Sequence, residues 1–176
     1  MDFLFGLLIQ LVSTLLLLRL LLQAVQADFY NPLSQTVFKL SAPLVEPLGR
    51  LLPAIGRLNT AALVAALALR FGYFLFFGDA PADALLRASY GLLSLLLDIY
   101  FWGIFIMVIA SWVGGHGSPM LAVVMQVIDP YLAPFKRVIP PLGMIDLSPM
   151  VAILVLIMVR DRGLPMLFNW LYTVML

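Results

Sequence analysis

Apolar residues gather into four runs along the chain, and the polar positions between them form two long connectors and one short one. Phe3 to Val25 carries only Gln10, Arg19 and Gln23 as strongly polar groups. It is long enough to cross a hydrocarbon core of roughly 30 Å. Thr60 to Phe77 contains Arg70, and Ala88 to Val113 contains Asp98. Ile145 to Val159 stops at Arg160-Asp161-Arg162-Gly163, charges suited to the headgroup layer. Each run is expected to form a membrane-spanning helix. Residues 164–176, with Trp170 and Tyr172, are too short to cross and are expected to form an interfacial tail or to extend the last helix. Val25-Gln26-Ala27 offers the small residues of a signal-cleavage site. Asp2 stands where a positive segment belongs, however, and Arg19 breaks a run too long for a signal, so the first run reads as a span.

Composition agrees with lipid as the solvent. Hydrophobic residues make up 64% of the 176 and charged residues 11%, where a globular domain carries about a quarter charged. The chain has no cysteine and one histidine, His116, which removes thiolate and histidine-cluster metal sites. No cofactor or metal is expected. A net charge of +1 with scattered Lys and Arg offers no nucleic-acid surface. No phosphate-cradling glycine loop and no nucleophile with a nearby base is apparent, so no enzymatic activity is expected. Lys39, Arg50, Arg57, Lys136 and Arg137 outnumber Arg87, Arg160 and Arg162, which puts the long connectors in the cytoplasm and both termini outside.

A single displacement of the chain along itself lays Pro32 on Pro119, Pro43 on Pro130, Pro47 on Pro134, Arg50 on Arg137, Pro53 on Pro140 and Gly56 on Gly143, without a gap. Each copy is a span, a long loop and a span: residues 1–80, with spans about 3–25 and 60–77, and residues 88–163, with spans about 88–113 and 145–159. An even number of spans per copy makes the repeats parallel. The expected fold is an all-α membrane protein of four transmembrane helices in two parallel repeats. Leu33 to Ala42 and Met120 to Ile128 are expected to be short interfacial or re-entrant helices ended by the prolines, with Asp129-Pro130 starting a fresh turn. The motif reads in two ways: a rigid elbow, or a docking surface in which Arg50 and Arg137 meet lipid phosphate or a partner carboxylate.

Arg70 and Asp98 enter from opposite faces and reach similar depths, which predicts a buried ion pair. It would serve as an assembly lock or as part of a cation path. Arg19, near the end of the first run, is expected to snorkel to the interface. Gly6, Gly72, Gly91 and Gly103 would allow the close helix approach of a homo-oligomer.

The doubled motif resembles the YggT family of small bacterial inner-membrane proteins. The resemblance rests on Pro43, Pro47, Arg50, Pro53 and Gly56, on Pro130, Pro134, Arg137, Pro140 and Gly143, and on the ending Asp146-Leu147-Ser148-Pro149. The first copy departs from that ending with Asn59-Thr60-Ala61-Ala62. The resemblance implies a multi-pass protein of the bacterial inner membrane with a non-enzymatic role in osmotic-stress tolerance or potassium homeostasis. The alternative it implies is a membrane scaffold or assembly factor whose cytoplasmic loops dock cell-division or membrane-complex partners. The bilayer, with anionic lipid, is the expected partner in either case.

Overall fold

The computed structural model describes residues 2–113, 117–139 and 146–175. These form α1 (Asp2–Ala24), α2 (Pro32–Gly49), α3 (Thr60–Phe76), α4 (Pro81–Val113), α5 (Pro119–Val138), α6 (Ser148–Met158), a π-helical turn (Val159–Gly163) and α7 (Leu164–Met175). Among the described residues the only bridge between extended segments joins Ile55 to Leu58. The chain is therefore all-α. Two helical stretches, Phe3–Ala24 and Pro81–Trp112, are long and apolar enough to cross a membrane, and the apolar stretch Thr60–Phe76 is shorter.

Local chemistry sets the helix ends. Asn31 caps α2 by accepting from Leu33 N at 3.0 Å, and Asn59 caps α3 by accepting from Ala62 N at 2.9 Å. Gly78, at φ +92, closes α3 with paired bonds from Asp79 N to Phe74 O and from Gly78 N to Leu75 O. This is the closure in which a left-handed residue turns the chain out of a helix. α1 ends with the same two bonds, Ala27 N to Leu22 O and Gln26 N to Gln23 O, but the left-handed residue is Gln26 at φ +54. α4 starts at Pro81 rather than Ala88, because proline suits a first turn and Arg87 of that early segment pairs with Asp79 at 3.3 Å.

The long connectors depart most from expectation. α2 runs unbroken through Pro43 and Pro47, and α5 through Pro130 and Pro134, so neither ends near its tenth residue and Asp129-Pro130 starts no new helix. Proline removes the bond to the carbonyl four residues back. Here the residues follow one line, Lys39, Pro43 and Pro47 in α2 and Gln126, Pro130 and Pro134 in α5, and all of them are exposed. The missing bonds therefore fall on the outer face, where the helix can bend and the freed carbonyls can find other donors. The opposite faces hold the helices in place: Ser34, Val37, Ser41 and Val45 of α2 are buried, as are Val123, Val127, Ile128 and Leu132 of α5. If the prolines serve only as tolerated helix residues, Pro43→Ala restores an amide for Lys39 O and raises stability by about 1–3 kcal/mol. A thermal melt in detergent reads this, and a loss of stability would mean that the proline itself is required.

Packing follows the small residues. Ala61, Ala62, Ala65 and Ala66 form a stripe on α3 that lets it lie close against Leu16 and Leu17 of α1 and Leu92 and Leu95 of α4. A second core joins Leu21 and Leu22 of α1, Val37 of α2, Ile104 of α4, α5, and Ala152 and Leu156 of α6. Tyr131 of α5 donates to Ala152 O at 3.0 Å, and burial pushes its phenol up, which keeps the proton that makes this bond. α6, the π turn and α7 follow one another directly, and Leu164 and Phe168 pack on Leu86 of α4. Of the two expectations for the tail, extension of the last helix is the one found, and the tail packs on Leu86 of α4. Three of the four glycines are consumed within the chain: a Cβ on Gly6 would touch Tyr73, one on Gly91 would overlap Arg70, and one on Gly103 would come within 2.5 Å of Ile128 Cδ1.

Candidate functional site

Buried cations are the chemically distinctive feature of this bundle. Arg70 projects from α3 with only 8% of its surface exposed. Its Nε donates to Ser13 Oγ at 3.2 Å and its Nη2 to Gln10 Oε1, both on α1, while Nη1 lies over the bare backbone of Gly91 on α4. One guanidinium thus ties α1 and α4 to its own helix, α3. Each contact depends on local sequence: Gln10 and Ser13 lie three residues apart on one face of α1, and the missing side chain at Gly91 provides the seat.

Asp98 is not the partner of Arg70. Arg160 of the π turn brings Nη2 to 3.0 Å from Asp98 Oδ1, at an angle that makes a charge contact rather than an aligned hydrogen bond. The predicted pair fails for a geometric reason. Similar depth does not fix helix rotation, and the acceptors that Arg70 reaches, Ser13 and Gln10, are neutral. The π turn carries Arg160 to Asp98; extra residues in a helical turn often sit at functional sites.

Arg19 also departs from expectation. It does not extend along α1 toward an interface but crosses to α2, where Nη1 donates to Phe38 O at 3.2 Å and to Ser41 Oγ at 3.1 Å. Its guanidinium carbon lies 5.2 Å from the Phe38 ring centre, within cation–π range. Ser41 Oγ in turn donates to Val37 O at 2.5 Å. The partners Gln10, Ser13, Ser41 and Arg160 were missed in the sequence. Their only signal was a polar residue inside an apolar run, which says that a partner is needed but not which one.

The motif residues fall partly inside the helices and partly at their ends. Pro43, Pro47, Pro130 and Pro134 lie on exposed helix faces. Arg50 caps the C-terminus of α2, and Arg137 lies in the last turn of α5, positions where the helix dipole favours a cation. Pro53 O accepts from Thr60 Oγ1 at 2.8 Å, and Gly56, at φ +60, occupies a turn. Asp146 accepts from Ser148 N at 2.8 Å just before α6, while Ser148 and Pro149 are buried at its start. Asn59 stands at the equivalent place and caps α3 through Ala62 N, whereas α6 starts without a side-chain cap. Pro140 and Gly143, like His116, lie outside the described residues.

A cavity of about 430 Å³ lies between α1, α2, α4 and α5. Its polar lining is Gln10, Thr14 and Asp98; the remainder is mainly aliphatic, including Leu18, Leu22, Val37 and Val127. Among the described residues no group of three or more His, Cys, Asp or Glu side chains could hold a metal ion.

The CCB3/YggT family model matches residues 1–78 and again residues 86–167. The chain belongs to the CCB3/YggT family. Its relatives include "Uncharacterized protein YggT" of Escherichia coli K12, 38% identical over 163 residues that cover 91% of this chain and 87% of the relative. An uncharacterized Pseudomonas aeruginosa protein is 38% identical over 153 residues, covering 81% of this chain and 77% of that one. A Haemophilus influenzae relative is 30% identical over 165 residues, covering 92% and 90%. No solved structure matches the chain.

Proposed function

We propose that this family member is a four-span protein of the bacterial inner membrane with a non-enzymatic role in osmotic-stress tolerance or potassium homeostasis, exercised as a scaffold rather than as an ion conductor. The spans would be α1, α3, α4 and the continuous α6–α7 rod, arranged as two parallel repeats with the prolined helices α2 and α5 between them. Two family matches in series and helices of like design in each half support that architecture. Many large exposed apolar side chains, such as Phe3, Leu7, Leu8 and Leu11 along one side of α1, suit contact with lipid.

The observation that carries the scaffold reading is the lining of the cavity between α1, α2, α4 and α5. An ion path needs a file of polar or charged groups to replace the hydration shell. Here the cavity offers three polar side chains in an otherwise mainly aliphatic wall, and Arg70 and Asp98 are engaged by separate partners. The engaged cations read as locks between helices, and the exposed ends of α2 and α5, with Arg50 and Arg137, as the docking face toward anionic lipid or a partner's carboxylates. Liposomes carrying the purified protein and subjected to an osmotic step are expected to show no potassium or proton flux above protein-free vesicles. Flux that Asp98→Ala or Arg70→Ala abolishes would establish a transporter and overturn the scaffold.

A further inference from the structure

A second cavity, of about 520 Å³, opens at the end of α1 and differs in character from the first. Its polar walls are Arg19, Gln23 and Gln26 from α1 and its closure, and Arg57 and Asn59 from the connector before α3. Two guanidinium groups and three carboxamides converge there, and no carboxylate is among the lining residues. Glu46 of α2 is close enough for its field to reach Arg19, but it is exposed and does not line the cavity.

Three independent features suit an anion. Arg19 is nine-tenths buried, and although its Nη1 is engaged with α2, its Nε is buried with no partner. No carboxylate stands among the lining residues to neutralise it, so its charge acts on whatever enters the cavity. Gln26 is the second feature. The equivalent closure of α3 uses Gly78, as the left-handed backbone favours, yet here a glutamine accepts the strained conformation and lines the cavity. The third is the turn from Ile55 to Leu58, held by bonds of 3.1 and 3.0 Å between its ends. Gly56 takes the positive φ, which leaves Arg57 beside it at the tip, on the cavity wall. Asn59 Nδ2 donates to Gln23 Oε1 at 2.5 Å, which occupies that carbonyl and leaves the Gln23 amide protons for a ligand.

We infer that this cavity binds a phosphate oxyanion, either the headgroup of an anionic phospholipid or a free phosphate compound. The exposed fork of Arg57 suits two phosphate oxygens at once, Arg19 supplies fixed positive potential from behind, and the carboxamides donate around the rim. The volume falls in the range of small-molecule sites, roughly 300–1,000 Å³, and leaves room for more than a bare ion. The choice between the two sources rests on the membrane reading above; the oxyanion chemistry does not.

The test uses the full-length protein in detergent, with lipid binding followed by native mass spectrometry and phosphate binding by calorimetry. The probes are short-chain phosphatidylglycerol, phosphatidylcholine, glycerol 3-phosphate and inorganic phosphate. Wild type is expected to bind at least one phosphate species in clear preference to phosphatidylcholine. Arg57→Gln and Gln26→Gly are expected to weaken that binding by about tenfold or more, while Lys39→Gln, an exposed cation outside the cavity, leaves it unchanged. Both cavity variants should melt no lower than wild type, since Arg57 is exposed and glycine is favoured at φ +54. Preference for phosphatidylglycerol without binding of the free phosphates assigns the site to lipid, and the converse assigns it to a soluble ligand. Equal binding of anionic and zwitterionic lipid with no phosphate binding, or unchanged affinity in both cavity variants, overturns the inference.

Discussion

Gly91→Leu is expected to remove most of the folded protein from the membrane. Even a Cβ at this position would overlap Arg70 Nη1, so a leucine forces the guanidinium off its seat and away from Gln10 and Ser13. A buried charge stripped of its partners costs about 3–5 kcal/mol, a large part of the 5–15 kcal/mol that holds a typical domain together. Arg70→Ala is milder, because it removes the charge and leaves only Gln10 and Ser13 to find other partners, at about 1–3 kcal/mol. The double variant Gly91→Ala/Arg70→Ala should therefore be far closer to Arg70→Ala alone than the sum of the single changes implies. Membrane accumulation and thermal stability in detergent read all of these. Wild-type accumulation of Gly91→Leu would mean that the guanidinium does not rest on α4.

The second large effect is expected at Arg19. Arg19→Leu removes the bonds to Phe38 O and Ser41 Oγ that tie α1 to α2, and hydrogen bonds from a charged donor contribute about 1.5–3 kcal/mol each. α2 carries two prolines and lacks the backbone bonds they remove, so it depends on its buried face for its position. Loss of Arg19 should free that face. The chain has no cysteine, so Ser34→Cys supplies a single reporter at a fully buried position of α2. Maleimide labelling of Cys at position 34 is expected to be slow with Arg19 present and to rise several-fold with Arg19→Leu. Equal rates would show that α2 is held without the arginine.

The helical class was legible because apolar runs of spanning length admit few other structures, and α1 and α3 fall close to the predicted segments. The connectors were misread for a physical reason. A proline rule drawn from helix interiors treats every lost bond as a break, whereas four-residue spacing puts both losses on one exposed line that a bent helix tolerates. The charges were misread for another. Sequence gives the depth of Arg70 and Asp98, but their partners depend on helix rotation, and Arg160 was hidden in a cluster that looked like a headgroup stop. Gln10, Ser13 and Ser41 carried no pattern of their own, since a single serine in an apolar helix can equally bond its own backbone. The proline and glycine motif was legible as a repeat, but it gave no sign that Asn59 caps α3 while Asp146, at the matching place, holds only Ser148 N before an uncapped α6.

The seat of Arg70 also has a place in time. Ribosomal synthesis delivers Gln10 and Ser13 first and Arg70 next, and Gly91 emerges only after the α3–α4 turn has been made. α1 and α3 can thus meet around the cation with one side of it still uncovered. Arrival of α4 completes its enclosure, so burial of a single guanidinium records whether the two halves of the chain have met.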